Sequence, residues 1–179
     1  MSDGTWISTL GQTLAPYYLY IKFFHVANVM AWALSTSHAF MFYLVPVFQQ
    51  WRRHPSDPER IRMRNWAMER FDDGVIIEHV AFPLVLLSGL AMLATGGWTA
   101  DSGWLVLKLC IVIALMIPIE ICDYYLSHFG GNKAGLRQRG EHERYESMIQ
   151  IHWLFFLITT PLVGIFVTLI VFLAIVKPF

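Results

Sequence analysis

A chain of 179 residues in which 56% of the side chains are hydrophobic and 15% are charged lacks the polar cover of a water-soluble domain of this size. Its 13 basic and 13 acidic residues cancel, so no bulk charge argues for nucleic acid as a partner. Two cysteines, Cys110 and Cys122, provide neither a CxxC redox pair nor a thiolate zinc site. Twelve residues apart on one helix they are separated by about 18 Å of rise, too far for a disulfide, and both are expected as small core residues.

Four apolar stretches, 17–49, 74–95, 104–126 and 151–176, are each long enough to cross a bilayer as a helix. The expected fold is therefore a single all-α domain over 1–179, an integral membrane four-helix bundle in contact with the lipid bilayer. The first connection carries Arg52, Arg53, Arg60, Arg62, Arg64 and Arg70, and the third carries Lys133, Arg137, Arg139 and Arg144. The second, from Thr95 to Gly103, has no basic residue. The positive-inside rule puts the basic connections in the cytoplasm and both termini on the non-cytoplasmic side of the cytoplasmic (inner) membrane. The N-terminal segment is not basic and no small-residue cleavage site follows it, so the first span is expected to be retained.

Along the first span Ala27, Ala31, Ser35 and Ala39 recur at every fourth position. Such a face lets helices approach closely in lipid and is expected to sit in the middle of the bundle. In the first connection Ser56-Asp57-Pro58-Glu59 has the form of a capping box and predicts a short helix ending near Met68. Asp72 and Asp73 then stand where they would cap the second span. Gly130-Gly131-Asn132 ends the third span, as where left-handed backbone is needed. Pro83, Pro118 and Pro161 each lack the N–H that would bond four residues back, which predicts kinks in the second, third and fourth spans. Trp51, Trp98, Trp104, Trp153, Tyr17, Tyr18 and Tyr20 fall near span ends, as in an aromatic belt.

Ionisable groups inside spans are costly and mark candidate sites. They are His25 and His38 on the first span, Glu78 and His79 on the second, Lys108, Glu120 and Asp123 on the third, and His152 on the fourth. With alternate spans running in opposite directions, His25 and Lys108 share an outer depth. His79, His152, Glu120 and Asp123 share an inner one, and His38 lies between the middle and the inner side. Asn28, Val29, Trp32 and Thr36 share the face of His25, whereas His38 points about 140° away from it. Neutral imidazoles inside a membrane helix bundle suit haem iron better than zinc, for which no HExxH spacing exists.

Ile21-Lys22-Phe23-Phe24-His25-Val26 followed by Ala31-Trp32 resembles the opening of the HemJ family of membrane protoporphyrinogen IX oxidases. Met68-Glu69-Arg70, Gly103-Trp104-Leu105-Val106-Leu107-Lys108-Leu109 and the terminal Val176-Lys177-Pro178-Phe179 are similar to that family as well, in the same order. The resemblance implies a helix bundle binding haem b, with His25 and Lys108 as the functional pair. The chain departs from the family at Pro118-Ile119-Glu120, where the family carries Tyr-His. It departs again at Ile151-His152-Trp153-Leu154-Phe155-Phe156, where the family carries Arg-Trp-Phe-Asn-Glu, and His79 and His152 are additions.

Together these observations predict a haem b membrane redox protein that oxidises a porphyrinogen or relays electrons to quinone. His25, Lys108, Asn28 and Trp32 would form an outer cofactor site. His79 and His152, or either with His38, would ligate a second haem. Two other readings fit the same residues. One is a non-catalytic accessory subunit of a homo-oligomer or larger membrane complex. The other is a proton or metal-ion carrier using Glu78, Glu120 and Asp123, although no inverted repeat supports transport.

Overall fold

Long apolar segments satisfy their own backbone polar groups as helices, and each apolar stretch of this chain is one. The computed structural model describes residues 5–95 and 102–178, and no strand occurs among them. Four helical stretches, Thr9–Arg53, Pro58–Thr95, Gly103–Gln138 and His142–Val176, are long and apolar enough to cross a membrane. The all-α expectation with four such segments holds. Trp98 and most of the second connection lie outside the described residues.

The first stretch comprises α1 (Thr5–Leu14), α2 (Tyr18–Ala39) and α3 (Val45–Arg53). The second joins α4 (Pro58–Gly74) to α5 (Ile76–Thr95), and the third comprises α6 (Gly103–Ile111), α7 (Ile117–His128) and the short α8 (Lys133–Gln138). The fourth is α9 (His142–Val176). Two π turns interrupt the bundle, Phe40–Leu44 and Val112–Met116, and each precedes a proline by one residue, Pro46 and Pro118. In each, the residue before the proline donates five residues back, Val45 to Phe40 and Ile117 to Val112. The turn thus widens just ahead of a residue that cannot donate. Pro83 and Pro161 lie inside helices that continue past them.

Local expectations are corrected at three points. Asp57, not Ser56, caps α4, accepting from the Glu59 N–H at 2.9 Å. The helix runs on to Gly74 and almost directly into α5, so Asp72 and Asp73 sit in its last turn instead of capping the second span. Gly130 and Gly131 do not take left-handed backbone; among the described residues only Gly140 and Lys177 have positive φ. Gly131 is instead required by space, because a Cβ there would lie 2.3 Å from the Leu126 carbonyl oxygen.

Two cores hold the helices. At the end carrying the basic connections, Phe48 stacks on Trp153 with centroids 4.0 Å apart, among Phe40, Met68, Phe71, Leu136, Ile149 and Phe156. Farther along, Trp32, Phe82, Trp104, Leu105, Met116 and Leu173 form the second. Trp104 and Trp153 are therefore core residues and not members of an interfacial belt, whereas Tyr17 and Tyr20 are exposed. Cys110 and Cys122, expected in the core, face outward, as do Ala27 and Ala31, so that part of the small-residue face is not at the centre of the bundle. In the most apolar window of α9 only 6% of the residues are fully buried, although Val163, Phe166, Val167 and Ile170 pack partly buried against the second core.

Polar clamps close the basic end. Arg64 is fully buried, forks onto both oxygens of Glu146 and lies 4.4 Å above the Trp51 ring. Glu69 accepts from Arg137 and from the Tyr145 hydroxyl, each at 2.8 Å, and so ties α4 to α8 and α9. At the opposite end the Lys177 ammonium stands 5.5 Å from the Trp104 ring centroid, which brings the last basic residue onto the start of α6.

Candidate functional site

Between the basic end and the second core, five helices (α4, α5, α7, α8 and α9) contribute one connected set of buried polar groups. Lys133 at the start of α8 has no exposed surface, and its three N–H bonds have three destinations. They are the Asp72 carboxylate of α4 at 2.9 and 3.1 Å, the Leu126 carbonyl at 3.0 Å, and Nδ1 of His152 on α9. An ammonium can only donate, so Nδ1 of His152 accepts and its Nε2 carries the hydrogen. That Nε2–H meets Oδ1 of Asp123 on α7 at 2.9 Å.

The second oxygen of Asp123 is held from the other side. Nε2 of His79 on α5 donates to Asp123 Oδ2 at 3.1 Å, and Nδ1 of His79 stands 2.9 Å from Nε2 of His128 at the end of α7. With the His79 hydrogen on Nε2, its Nδ1 accepts and His128 Nε2 donates. His79 thus donates to Asp123 from this side, as His152 does from the other, and His128 donates to His79. Asp123 is buried, and its carboxylate has a donor on each oxygen.

Next to Asp123 lies a small cavity of about 30 Å³, lined by Trp32, Thr36, Glu78, Glu120, Asp123 and Phe156 among others. Glu120 accepts from the Trp32 indole N–H, and Glu78 faces the same cavity from α5. Oε2 of Glu78 and Oγ1 of Thr36, both buried, have no hydrogen-bond partner.

His25 stands apart. Its Nδ1 is 3.1 Å from the Val85 carbonyl and 3.0 Å from Oγ of Ser88, which itself donates to carbonyls one turn back. A carbonyl only accepts, so Nδ1 carries the hydrogen and Nε2 keeps a lone pair with no hydrogen bond to any described residue. The ring lies against Gly89, where a Cβ would come within 3.4 Å of its Cε1. Lys108 is close enough for its charge to act on the ring, and among the described residues it makes no ion pair.

Lys108 is near enough for its charge to be felt at His25, though no hydrogen bond or ion pair joins the two, and Trp32, farther along the same helix, is bonded to Glu120 instead. Asn28 bonds to the Phe24 carbonyl of its own helix. His38 is exposed, with Nδ1 on the Leu34 carbonyl and its ring against Phe42, and is not brought near any other candidate. His79 and His152 do converge, but on the Asp123 carboxylate between them, with both nitrogens of each ring engaged. No three His, Cys, Asp or Glu side chains among the described residues are grouped to hold a metal ion.

Sequence reasoning missed Asp72, Lys133 and His128 as members of the network, because each belongs to a connection or span end and has an ordinary local explanation there. One signal was available on α7, where Glu120, Asp123 and Ser127 recur at helical spacing and all are buried. No family model, no curated protein and no solved structure matches the chain.

Proposed function

We propose that the chain is a multi-pass protein of the cytoplasmic membrane, with both termini on the non-cytoplasmic side, that binds haem b through His25 and takes part in electron transfer. The observation that supports this reading most is the tautomer of His25. Iron-ligating histidines characteristically donate their other ring N–H to a carbonyl or carboxylate, which fixes the ring and leaves a lone pair for the metal. His25 has that arrangement through Val85, in a half-buried position beside an ammonium that has no carboxylate of its own. The donor set thus fits one axial ligand, with Lys108 suited to a haem propionate or, if neutral, to iron. Bound haem b supplies a ferric/ferrous couple for single-electron transfer. The resemblance of the first and third spans to HemJ proteins supports the same pair of residues.

The inner histidines suit a different task. A haem between His79 and His152 would have to displace Asp123 from a carboxylate site that both rings already saturate, beside a cavity far smaller than a porphyrin. One haem, at the outer site, is therefore the reading adopted. The electron partner is of the porphyrinogen or quinone class. The test is the visible spectrum of the purified protein, air-oxidised and then reduced with dithionite. A Soret band that shifts on reduction is expected, and a colourless, folded preparation from haem-replete cells would favour an accessory subunit without a redox cofactor.

A further inference from the structure

The buried network of α5, α7 and α9 does more than satisfy its own members, because its hydrogen bonds have a direction and end at an incomplete site. His128 is half-buried at the basic end, and its Nδ1 makes no hydrogen bond to a described residue. From there the N–H bonds run inward, His128 to His79 and His79 to Asp123, each across 2.9–3.1 Å. Asp123 lines the cavity, and so does Glu78, which is only 8% exposed yet has an oxygen without a partner. Thr36 Oγ1 is a second orphan on the same wall. A buried polar void holds water when it offers roughly 10–15 Å³ or more and two to four polar partners. The cavity's 30 Å³, its three carboxyl groups and the Thr36 hydroxyl meet both conditions.

We propose that His128, His79 and Asp123 form a proton entry path from the basic end to a water-bearing cavity, where the Glu78–Glu120 pair accepts the proton. A proton arriving at His128 Nδ1 releases the Nε2 hydrogen to His79 Nδ1. His79 then passes its own Nε2 hydrogen to Asp123 Oδ2, so that one N–H forms and one breaks at each ring. Asp123 hands the proton through cavity water to the acid pair, which leaves both rings with the hydrogen on Nδ1; the same transfers run in reverse restore the Nε2–H tautomers and return a proton to the basic end. Lys133 and Asp72 are positioning residues: the ammonium fixes His152 with its N–H on Asp123, which holds that carboxylate in line with His79. The path stops at Glu120, since the Trp32 indole that holds it can donate but not relay. Trp32 is seven residues from His25, about 10 Å of helix rise. Protons would thus be delivered near the outer site, although the relay itself rests on no cofactor.

The test uses the full-length protein as purified, in lipid nanodiscs, and reads the infrared C=O stretch of protonated carboxyl groups after transfer to D2O. A protonated-carboxyl band is expected in the wild type and should be lost in Glu78→Gln or Glu120→Gln. Its deuterium shift should slow by about tenfold or more in His128→Gln. That amide keeps a donor for His79 but cannot take up and release a proton, so a structural role alone would leave the exchange unchanged. An unaltered melting temperature in His128→Gln shows that the slowing is not a folding defect. Exchange at the wild-type rate in His128→Gln, or no protonated-carboxyl band in the wild type, would overturn the relay. Both readouts are independent of haem content, so failure of the redox reading leaves this one standing or falling by itself.

Discussion

The Lys133 ammonium and the Asp72 carboxylate, sixty-one residues apart in the chain, meet at 2.9 Å in a site from which both are almost wholly shielded. Breaking a buried pair by removing one partner leaves an uncompensated charge, which costs about 3–5 kcal/mol. Lys133→Met should therefore lower stability by that amount, measured as reversible unfolding in detergent. Adding Asp72→Asn should recover part of the loss, because the charge left behind is then also removed. Additive losses in the double variant would show that the two groups act separately.

Gly131 supports the same ammonium from the backbone. The Leu126 carbonyl that a Cβ at Gly131 would strike also accepts from Lys133. Gly131→Ala should cost about 1–3 kcal/mol, as overpacking against an immobile group does. Gly74→Ala, where a Cβ meets nothing within 4 Å, should not destabilise the fold. Equal melting temperatures for the two variants would contradict the close approach.

Orientation can be read by chemical labelling in intact cells. A cysteine at Ser56, in the first basic connection, should be protected from an impermeant thiol reagent, and one at Thr99 should react. Cys110 and Cys122 are exposed on the helix surfaces, so both are replaced by Ala as background. The reverse labelling pattern would invert the bundle and place the His128 end of the relay outside the cell.

Lys108 separates three roles. If it pairs with a haem propionate, Lys108→Met should weaken haem retention and keep the axial signature. If it ligates iron, the spin state should change. An unchanged spectrum and haem content would assign it to snorkelling toward headgroups.

The helical class and the four apolar segments were legible because span length and charge segregation are properties of composition along the chain. That the charge of Lys108 reaches His25 was legible because depth follows from counting residues in antiparallel helices. The lateral arrangement was not. Whether His79 and His152 face iron or a carboxylate depends on what lies between them, and Asp123 sits on a third helix whose rotation no single-chain pattern specifies. Asp72 and Lys133 were hidden for another reason: a carboxylate before an apolar run reads as a cap, and a lysine after Gly-Gly-Asn reads as a topogenic charge. Trp104 and Trp153 misled in the same way, since position near a span end says nothing about whether a ring faces lipid or Leu105 and Phe48.

Haem content in His25→Ala tests the central claim most directly. Purified beside the wild type and beside His79→Ala and His152→Ala, it should lose its Soret band and its pyridine haemochrome, because of these three histidines only His25 presents a ring nitrogen that is not hydrogen-bonded. The His79 and His152 variants, where they remain folded, should keep the haem. A normal Soret band and full haem content in His25→Ala would contradict the account.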